Sequence, residues 1–188
     1  ACRPWFDKVV HQMKASAPTA ECCLLGGDLA DNGTPAQLTI IKEAFSALGI
    51  PCHSVVGNHD YLSDTDRSAY EQIFPGQINY SFDHRGWQII GLDSSEGTKA
   101  TDTRISTATF AWLDENLRRL DPKRPTILFT HFPLGDLVLA RPLNADDLLR
   151  RFSEFNLQAV FCGHFHGYTA RPFHQATVTT DKCCSRLR

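Results

Sequence analysis

Four short segments of this sequence place metal-binding side chains directly after a run of apolar residues. These segments are residues 24–28, 55–60, 128–131 and 160–166. Together they carry carboxylate, carboxamide and imidazole groups. This combination of donors suits Mn, Fe, Zn or Co better than Ca or Mg. The sequence therefore predicts a transition-metal site built from distant parts of the chain.

The candidate metal ligands lie where predicted strands end. They are Asp28, Asn58, His131, His164 and His166. In open α/β sheets the carboxyl ends of the strands share one crevice, so these groups are expected to meet there. Neighbouring glycines allow sharp turns and close backbone approach. A locally extended backbone over residues 164–166 would direct both imidazoles to one face.

Each motif has a plainer interpretation when it is taken alone. A Gly-Asp pair after a strand is commonly a turn, and His131 alone would suit a hydrogen-bonded core position. The occurrence of all four motifs after strands favours a shared site. Asp31 is interpreted as a turn-stabilising or outer group. Asp60 either orients His59 or caps its loop. The remaining histidines are expected on the surface or in packing contacts: His11, His53, His84 and His174.

Short apolar strands alternate with amphipathic helices, which predicts an α/β layered domain with much of its sheet parallel. The predicted strands are residues 22–25, 50–56, 87–92, 126–129 and 159–161, and the predicted helices include 3–14 and 107–120. Another helix begins after Thr34, with Pro35 in its first turn and Gln37 completing a capping box. Asn144 is expected to cap a further helix.

Composition is that of an ordinary globular domain, with 188 residues, 42% hydrophobic, 21% charged and a net charge of -2. This balance gives no indication of a nucleic-acid partner, and no apolar run approaches the ~20 residues of a spanning helix. Seven cysteines without CxxC spacing are interpreted as reduced thiols, with a structural zinc or a disulfide as alternatives. We therefore expect a cytoplasmic protein. Export is kept as the alternative, because the N-terminus is interpreted as truncated.

The motifs, taken in order, resemble those of the calcineurin-like metallophosphoesterase family. GDLAD at residues 27–31 is similar to the GDxxD block, and GNHD at 57–60 is similar to GNH[DE]. FTHFP around His131 and GHFH at 163–166 resemble the later blocks. The pattern is most similar to bacterial members related to the cyclic-nucleotide phosphodiesterases. The resemblance implies a layered sandwich of two mixed β-sheets flanked by helices.

The resemblance also implies roles for the site residues. Asp28 would bridge two divalent transition metal ions, and His166 would belong to the second ion. Asn58, His131 and His164 would complete the site of the first. His59 would act near the substrate, as a general acid or as a stabiliser of the phosphoryl group. The implied reaction is hydrolysis of a small phosphate ester, a diester or a monoester, by a metal-bound hydroxide.

The sequence departs from the family at its start, because it contains no Asp-x-His block. We expect one domain over residues 1–188 that lacks the first strand and is incomplete at both ends. Such a chain would bind about one tight metal, turn over a diester poorly, and pair as a homodimer or aggregate through an exposed edge. The alternative is a non-catalytic scaffold of the same fold.

Overall fold

A computed structural model describes residues 3–184 as one alternating series of helices and strands. The α-helices are α1 (Arg3–Ser16), α2 (Pro35–Ser46), α3 (Ser68–Ile73), α4 (Thr107–Asn116) and α5 (Ala145–Arg150). The strands are β1 (Cys23–Leu25), β2 (Cys52–Ser54), β3 (Tyr80–His84), β4 (Trp87–Leu92), β5 (Thr126–Thr130), β6 (Leu157–Cys162), β7 (Thr169–Phe173) and β8 (Ala176–Thr180). Short 3₁₀ turns cover Asn58–Asp60 and Leu117–Arg119.

The strands form a small sheet and a large one. β1 and β2 pair in parallel. The large sheet has the order β3-β4-β5-β6-β8-β7, in which β4, β5, β6 and β8 are parallel and the outer strands β3 and β7 are antiparallel to their neighbours. The predicted fold class of two sheets flanked by helices is confirmed, although the smaller sheet is purely parallel and the larger one is mixed.

Three apolar clusters show how these layers stack. One cluster packs α1 and α2 against the small sheet around Leu25 and Ile41. A second lies between the sheets, where Val55 meets Ile89 and Phe129. The largest packs α4 and α5 on the other face of the large sheet. Burial of an apolar side chain contributes about 1.5–3 kcal/mol, so this order of helix, sheet, sheet and helix is fixed by the core.

Most predicted elements occur, with shifted ends. The predicted strand at 87–92 coincides with β4, whereas the one at 50–56 shortens to Cys52–Ser54. The helix predicted to reach residue 120 ends at Asn116 and continues as a 3₁₀ turn. The sequence pattern did not predict α3, β3, β7 or β8. β7 contains Pro172 and lies at an edge of the sheet, where a missing backbone donor is tolerated.

The structure confirms one of the two predicted N-caps. Thr34 caps α2 as predicted, with its hydroxyl accepting a hydrogen bond from Gln37 N. The Gln37 carboxamide does not close a capping box but accepts hydrogen bonds from Asp31 N and Asn32 N, at 3.2 and 3.0 Å. Asn144 precedes α5 without a side-chain cap, because its amide binds the backbone N–H and C=O of Ile105.

The remaining expectations concern cysteines, histidines and membranes. Among the described residues, Cys22, Cys23, Cys52, Cys162 and Cys184 carry free thiols, and Cys2 lies outside the described residues. His53 stacks on Phe82 at 3.6 Å between ring centres, and His84 pairs with Glu21. Over residues 3–184, the helices are too short or too polar to cross a lipid bilayer.

Candidate metal centre

The small sheet delivers Asp28 through two glycines that follow β1. Asp28 has φ 51° and Gly27 has φ 83°, so the chain turns through the left-handed region twice. A Cβ at Gly27 would lie 2.7 Å from His131 Nδ1, which is closer than any real contact. Left-handed conformations cost about 1–3 kcal/mol in a non-glycine residue and concentrate at functional sites. The backbone therefore adopts an energetically unfavourable conformation that directs Asp28 toward His131.

The large sheet delivers His131 after β5 and His164 after β6. His131 Nε2 lies 3.2 Å from Asp28 Oδ1 and 3.1 Å from His164 Nδ1. One ligand atom from each of the three residues lies within 4.8 Å of the others. Three of the five predicted ligands thus meet at one point, although they come from two sheets.

Hydrogen bonds at the outer edge of each imidazole define which nitrogens face inward. His131 Nδ1 lies 2.8 Å from Gly26 O, and His164 Nε2 lies 2.9 Å from Ala100 O. A carbonyl oxygen only accepts, so these outer nitrogens carry protons. In neutral rings the two inner nitrogens then carry lone pairs that face each other and the Asp28 carboxylate. A proton or a metal ion between these atoms would relieve their mutual repulsion, and backbone support of this kind is typical of metal-binding histidines.

Asn58 provides a second, independent sign of fit to a metal. The residue is 3% exposed, and its side-chain Oδ1 has no hydrogen-bond partner within the described part of the chain. An unpaired buried carbonyl costs about 1–3 kcal/mol. A bound divalent ion would satisfy this oxygen. The donor set of carboxylate, carboxamide and imidazoles therefore fits a divalent transition metal.

The two histidines of the last motif do not adopt the extended backbone expected from the sequence. His164 has φ 60° and His166 has φ 57°, so both are left-handed, and the expected extended backbone was wrong. The physical reason is a tight turn after β6, in which Phe165 N donates to Gly163 O at 2.7 Å. His166 does not belong to the group of three, and its role as a ligand stays a prediction.

His59 follows Asn58 and is exposed. Its backbone N donates to Asp28 Oδ1 at 3.0 Å, and its ring Nδ1 lies 2.9 Å from Asp31 O. The carbonyl fixes Nδ1 as the protonated nitrogen. Asp31 holds the His59 ring through its backbone carbonyl, which agrees with the interpretation of Asp31 as an outer group. Nε2 is consequently the ring atom that can face a bound substrate.

Asp60 caps its loop and does not orient His59. Its Oδ2 accepts from Gly57 N and its Oδ1 accepts from Ala30 N, both at 2.9 Å. Burial raises the pKa of this carboxyl to about 7, although the two hydrogen bonds oppose the shift. One buried side chain thus ties the loop that carries Asp28 to the loop that carries Asn58.

A fifth strand end supports the site and was missed by the sequence analysis. Asp93, Ser94 and Ser95 follow β4, the same position that the four motifs take after their strands. Ser94 Oγ accepts from Phe132 N at 2.8 Å, and Ser95 Oγ donates to Val56 O at 3.2 Å. Asp93 is buried and pairs with Arg67. The two serines thus hold the loops that precede Asn58 and follow His131. An apolar strand ending in Asp-Ser-Ser was the signal that could have predicted them.

Charges within the centre are strongly coupled. Burial acts to raise the pKa of Asp28, but the charge and hydrogen bond of His131 dominate and bring that pKa to about 2. Burial likewise acts to lower the pKa of His131, and Asp28 reverses this and raises it. Burial and then His131 lower the pKa of His164 to about 4. The group therefore attracts one positive charge, which is the electrostatic property of a cation site.

Comparisons with known proteins agree with this geometry. The sequence profile of calcineurin-like phosphoesterases matches residues 5–168. A Synechococcus sp. protein named as a probable cyclic nucleotide phosphodiesterase is 33% identical over 69% of this chain and 48% of its own length. The glycerophosphodiester phosphodiesterase GpdQ of Enterobacter lignolyticus is 27% identical over 92% of this chain and 65% of its own length. The chain thus spans about half to two thirds of these curated relatives.

A solved structure shares the fold. A dimetal phosphatase from Danio rerio superposes with a TM-score of 0.69 at 15% identity, covering 96% of this chain and 77% of that one. Since the family profile extends over most of the 188 residues and includes every one of the metal-binding motifs, the chain belongs to the calcineurin-like phosphoesterase family.

Proposed function

We propose that this protein is a metal-dependent hydrolase of small phosphodiesters. The observation that carries the proposal is the convergence of Asp28 Oδ1, His131 Nε2 and His164 Nδ1, with both imidazoles held by backbone carbonyls. Family membership supports the reaction class. The named activities of the relatives, on cyclic nucleotides and on glycerophosphodiesters, define the substrates to test first.

The proposed residues divide into two ligand sets. Asp28, Asn58, His131 and His164 would hold one ion, and Asp28 with His166 would contribute to a second. When bound, the two divalent ions would polarise the phosphoryl group and supply the hydroxide nucleophile. The protein itself fixes the tautomers of the two inner imidazoles and keeps Asp28 ionised, so the site is preorganised for cations.

His59 is proposed to act on the ester. The Asp31 carbonyl orients the ring through Nδ1. Nε2 would then deliver a proton to the leaving oxygen or donate to the phosphoryl group. General acid–base assistance is worth about 10²–10⁴-fold in rate. His59 would contribute to turnover and little to metal affinity, because its ring is directed by Asp31 and only its backbone contacts Asp28.

The test combines metal analysis with an assay on bis(p-nitrophenyl) phosphate. Purified protein loaded with Mn, Fe, Zn or Co should bind metal tightly and hydrolyse the diester. His131→Ala should lose both properties, since it removes a central ligand. His59→Ala should lower kcat by about 10²-fold or more at unchanged metal content. His11→Ala, at an exposed position of α1, serves as the matched control with unchanged activity.

Each outcome separates the proposal from its alternative. Loss of metal in His59→Ala would make that residue a ligand and contradict its assignment. Tight metal binding without turnover of any diester would favour the non-catalytic scaffold. The number of tightly bound ions also matters: about one per chain agrees with the short ligand set of the second site, whereas two would show that further residues complete it.

A further inference from the structure

Cys23 and Cys52 lie side by side on the small sheet and have no part in the proposed metal site. They are register partners in the parallel pair β1–β2. Neighbouring strands are about 4.7–4.9 Å apart, and disulfides form between Cα atoms about 4.4–6.8 Å apart. The backbone therefore already places these two residues within disulfide range.

The two side chains also point to the same side of the sheet. Cys23 and Cys52 both belong to the apolar cluster beneath α1 and α2, together with Leu25. Leu24 packs on the opposite face with Val55. Cys22 precedes β1 and is not a member of this cluster. The structure thus selects Cys52 as the partner of Cys23.

Accessibility and acidity differ between the two thiols. Cys23 is 7% exposed, whereas Cys52 is half-buried. Interaction with the neighbouring Cys23 thiol lowers the pKa of Cys52, and the same interaction together with burial raises the pKa of Cys23. Thiolates are the reactive species. Cys52 is therefore the thiol that meets an external reagent first.

We propose that Cys23 and Cys52 form a dithiol that an external disulfide, such as oxidised glutathione, converts into an intramolecular disulfide. The Cys52 thiolate attacks one sulfur of the reagent, which breaks the reagent's S–S bond and releases one glutathione thiolate. The Cys23 thiolate then attacks Cys52 Sγ and releases the second. Two protein thiols lose two electrons and two protons, and two molecules of reduced glutathione are formed.

The bond would clamp the strands that lead to Asp28 and Asn58. β1 precedes Asp28 and β2 precedes Asn58, so the two ligand loops leave a sheet of only two short strands. A covalent link between these strands restricts the unfolded chain and stabilises the folded one. For a domain of this size we expect Tm to rise by about 5 °C or more on oxidation.

The experiment treats the reduced protein with oxidised glutathione and maps its thiols by mass spectrometry under non-reducing conditions. Wild-type protein should lose two thiols, carry a Cys23–Cys52 linked peptide, and retain no glutathione. Cys23→Ser should trap glutathione on Cys52, whereas Cys52→Ser should react at neither position. Cys22→Ser is the matched control and should form the same link as the wild type.

Several results would overturn the proposal. These are retention of all thiols after oxidation, a stable glutathione adduct on the wild type, or a link that involves Cys2, Cys22, Cys183 or Cys184. The wild-type peptide map decides the question even if a serine variant fails to fold. Mass and Tm are measured without any assay of ester hydrolysis, so the outcome is independent of the proposed catalytic function.

Discussion

The candidate metal centre has two halves that are supported in different ways. The histidine half follows β5 and β6, which share five register positions inside the buried sheet. Gly163 N donates to His131 O at 2.8 Å, so backbone bonding continues into the ligand loops. The carboxylate half, defined as the loops that carry Asp28 and Asn58, follows two strands with three register positions.

Beyond the end of the β1–β2 strand pair, side-chain hydrogen bonds hold the carboxylate half together. Asp60 joins its two loops, and the Gln37 carboxamide holds the turn that follows Asp28. Backbone hydrogen bonds between strands are little affected when one side chain changes. A contact made by a single side chain is lost when that side chain is replaced. We therefore expect single substitutions outside the ligands to damage the carboxylate half more than the histidine half.

The largest effect is expected for Gly57→Ala. A Cβ at Gly57 would lie 2.3 Å from both Asp28 N and Asp28 Oδ1, so Asp28 must move. Displacement of a central ligand should lower metal affinity by more than the about 10–100-fold typical of lost outer partners. Metal titration by calorimetry measures this. Gly26→Ala is the matched control, because a Cβ there meets nothing within 4 Å; equal losses in both variants would contradict the explanation.

Asp60→Asn should have the next largest effect. The variant keeps the size of the side chain but directs an NH₂ group at one of two backbone donors, from Gly57 or Ala30. An unpaired buried donor costs about 1–3 kcal/mol. We expect a lower free energy of unfolding and weaker metal binding, measured by urea denaturation and by metal titration. Asp66→Asn, at a surface position where the carboxylate accepts from Ser68 N, should leave metal binding unchanged.

Asp60 in the carboxylate half and His164 in the histidine half should respond to pH with opposite signs in metal-free protein. Asp60 has a folded pKa of about 7, so from about pH 4 to 7 the folded chain holds a proton that the unfolded chain has released. Its contribution to stability therefore falls as pH rises. His164 has a folded pKa of about 4, so between about pH 4 and 6.5 the unfolded chain binds the extra proton and stability rises with pH.

Urea unfolding with a chelator at pH 4.5 and 6.5 separates these contributions. The stability of the wild type relative to Asp60→Asn should decrease between the two values, and that relative to His164→Ala should increase. The same sign for both differences would show that the two groups do not titrate independently.

The smallest effect is expected for Gln37→Ala. The change removes an acceptor shared by Asp31 N and Asn32 N, both exposed, so water can replace it and the loss should be about 0.5–1.5 kcal/mol. Thermal unfolding measures the change. Gln37→Glu keeps the acceptor and should restore most of the stability; failure of that rescue would mean that packing of the side chain, not its hydrogen bonds, stabilises the turn.

The sequence by itself determined which groups can bind metal and where along the elements they lie. Apolar runs followed by Gly-Asp, Gly-Asn-His and Gly-His are local patterns, and strand ends converge in any parallel sheet. The alternation of strands and helices likewise fixed the layered fold, because periodicity is a property of neighbouring residues.

Only the tertiary structure decided how these groups are held. The tautomer of His131 depends on Gly26 O, and that of His164 depends on Ala100 O, which lie far away in the chain. The left-handed turn at His164 and the binding of Asp60 to Ala30 N follow from loops packed against other loops. The pairing of Cys23 with Cys52 depends on strand register. Such contacts join residues whose separation no local pattern records, so they became visible only after the sheets were placed together.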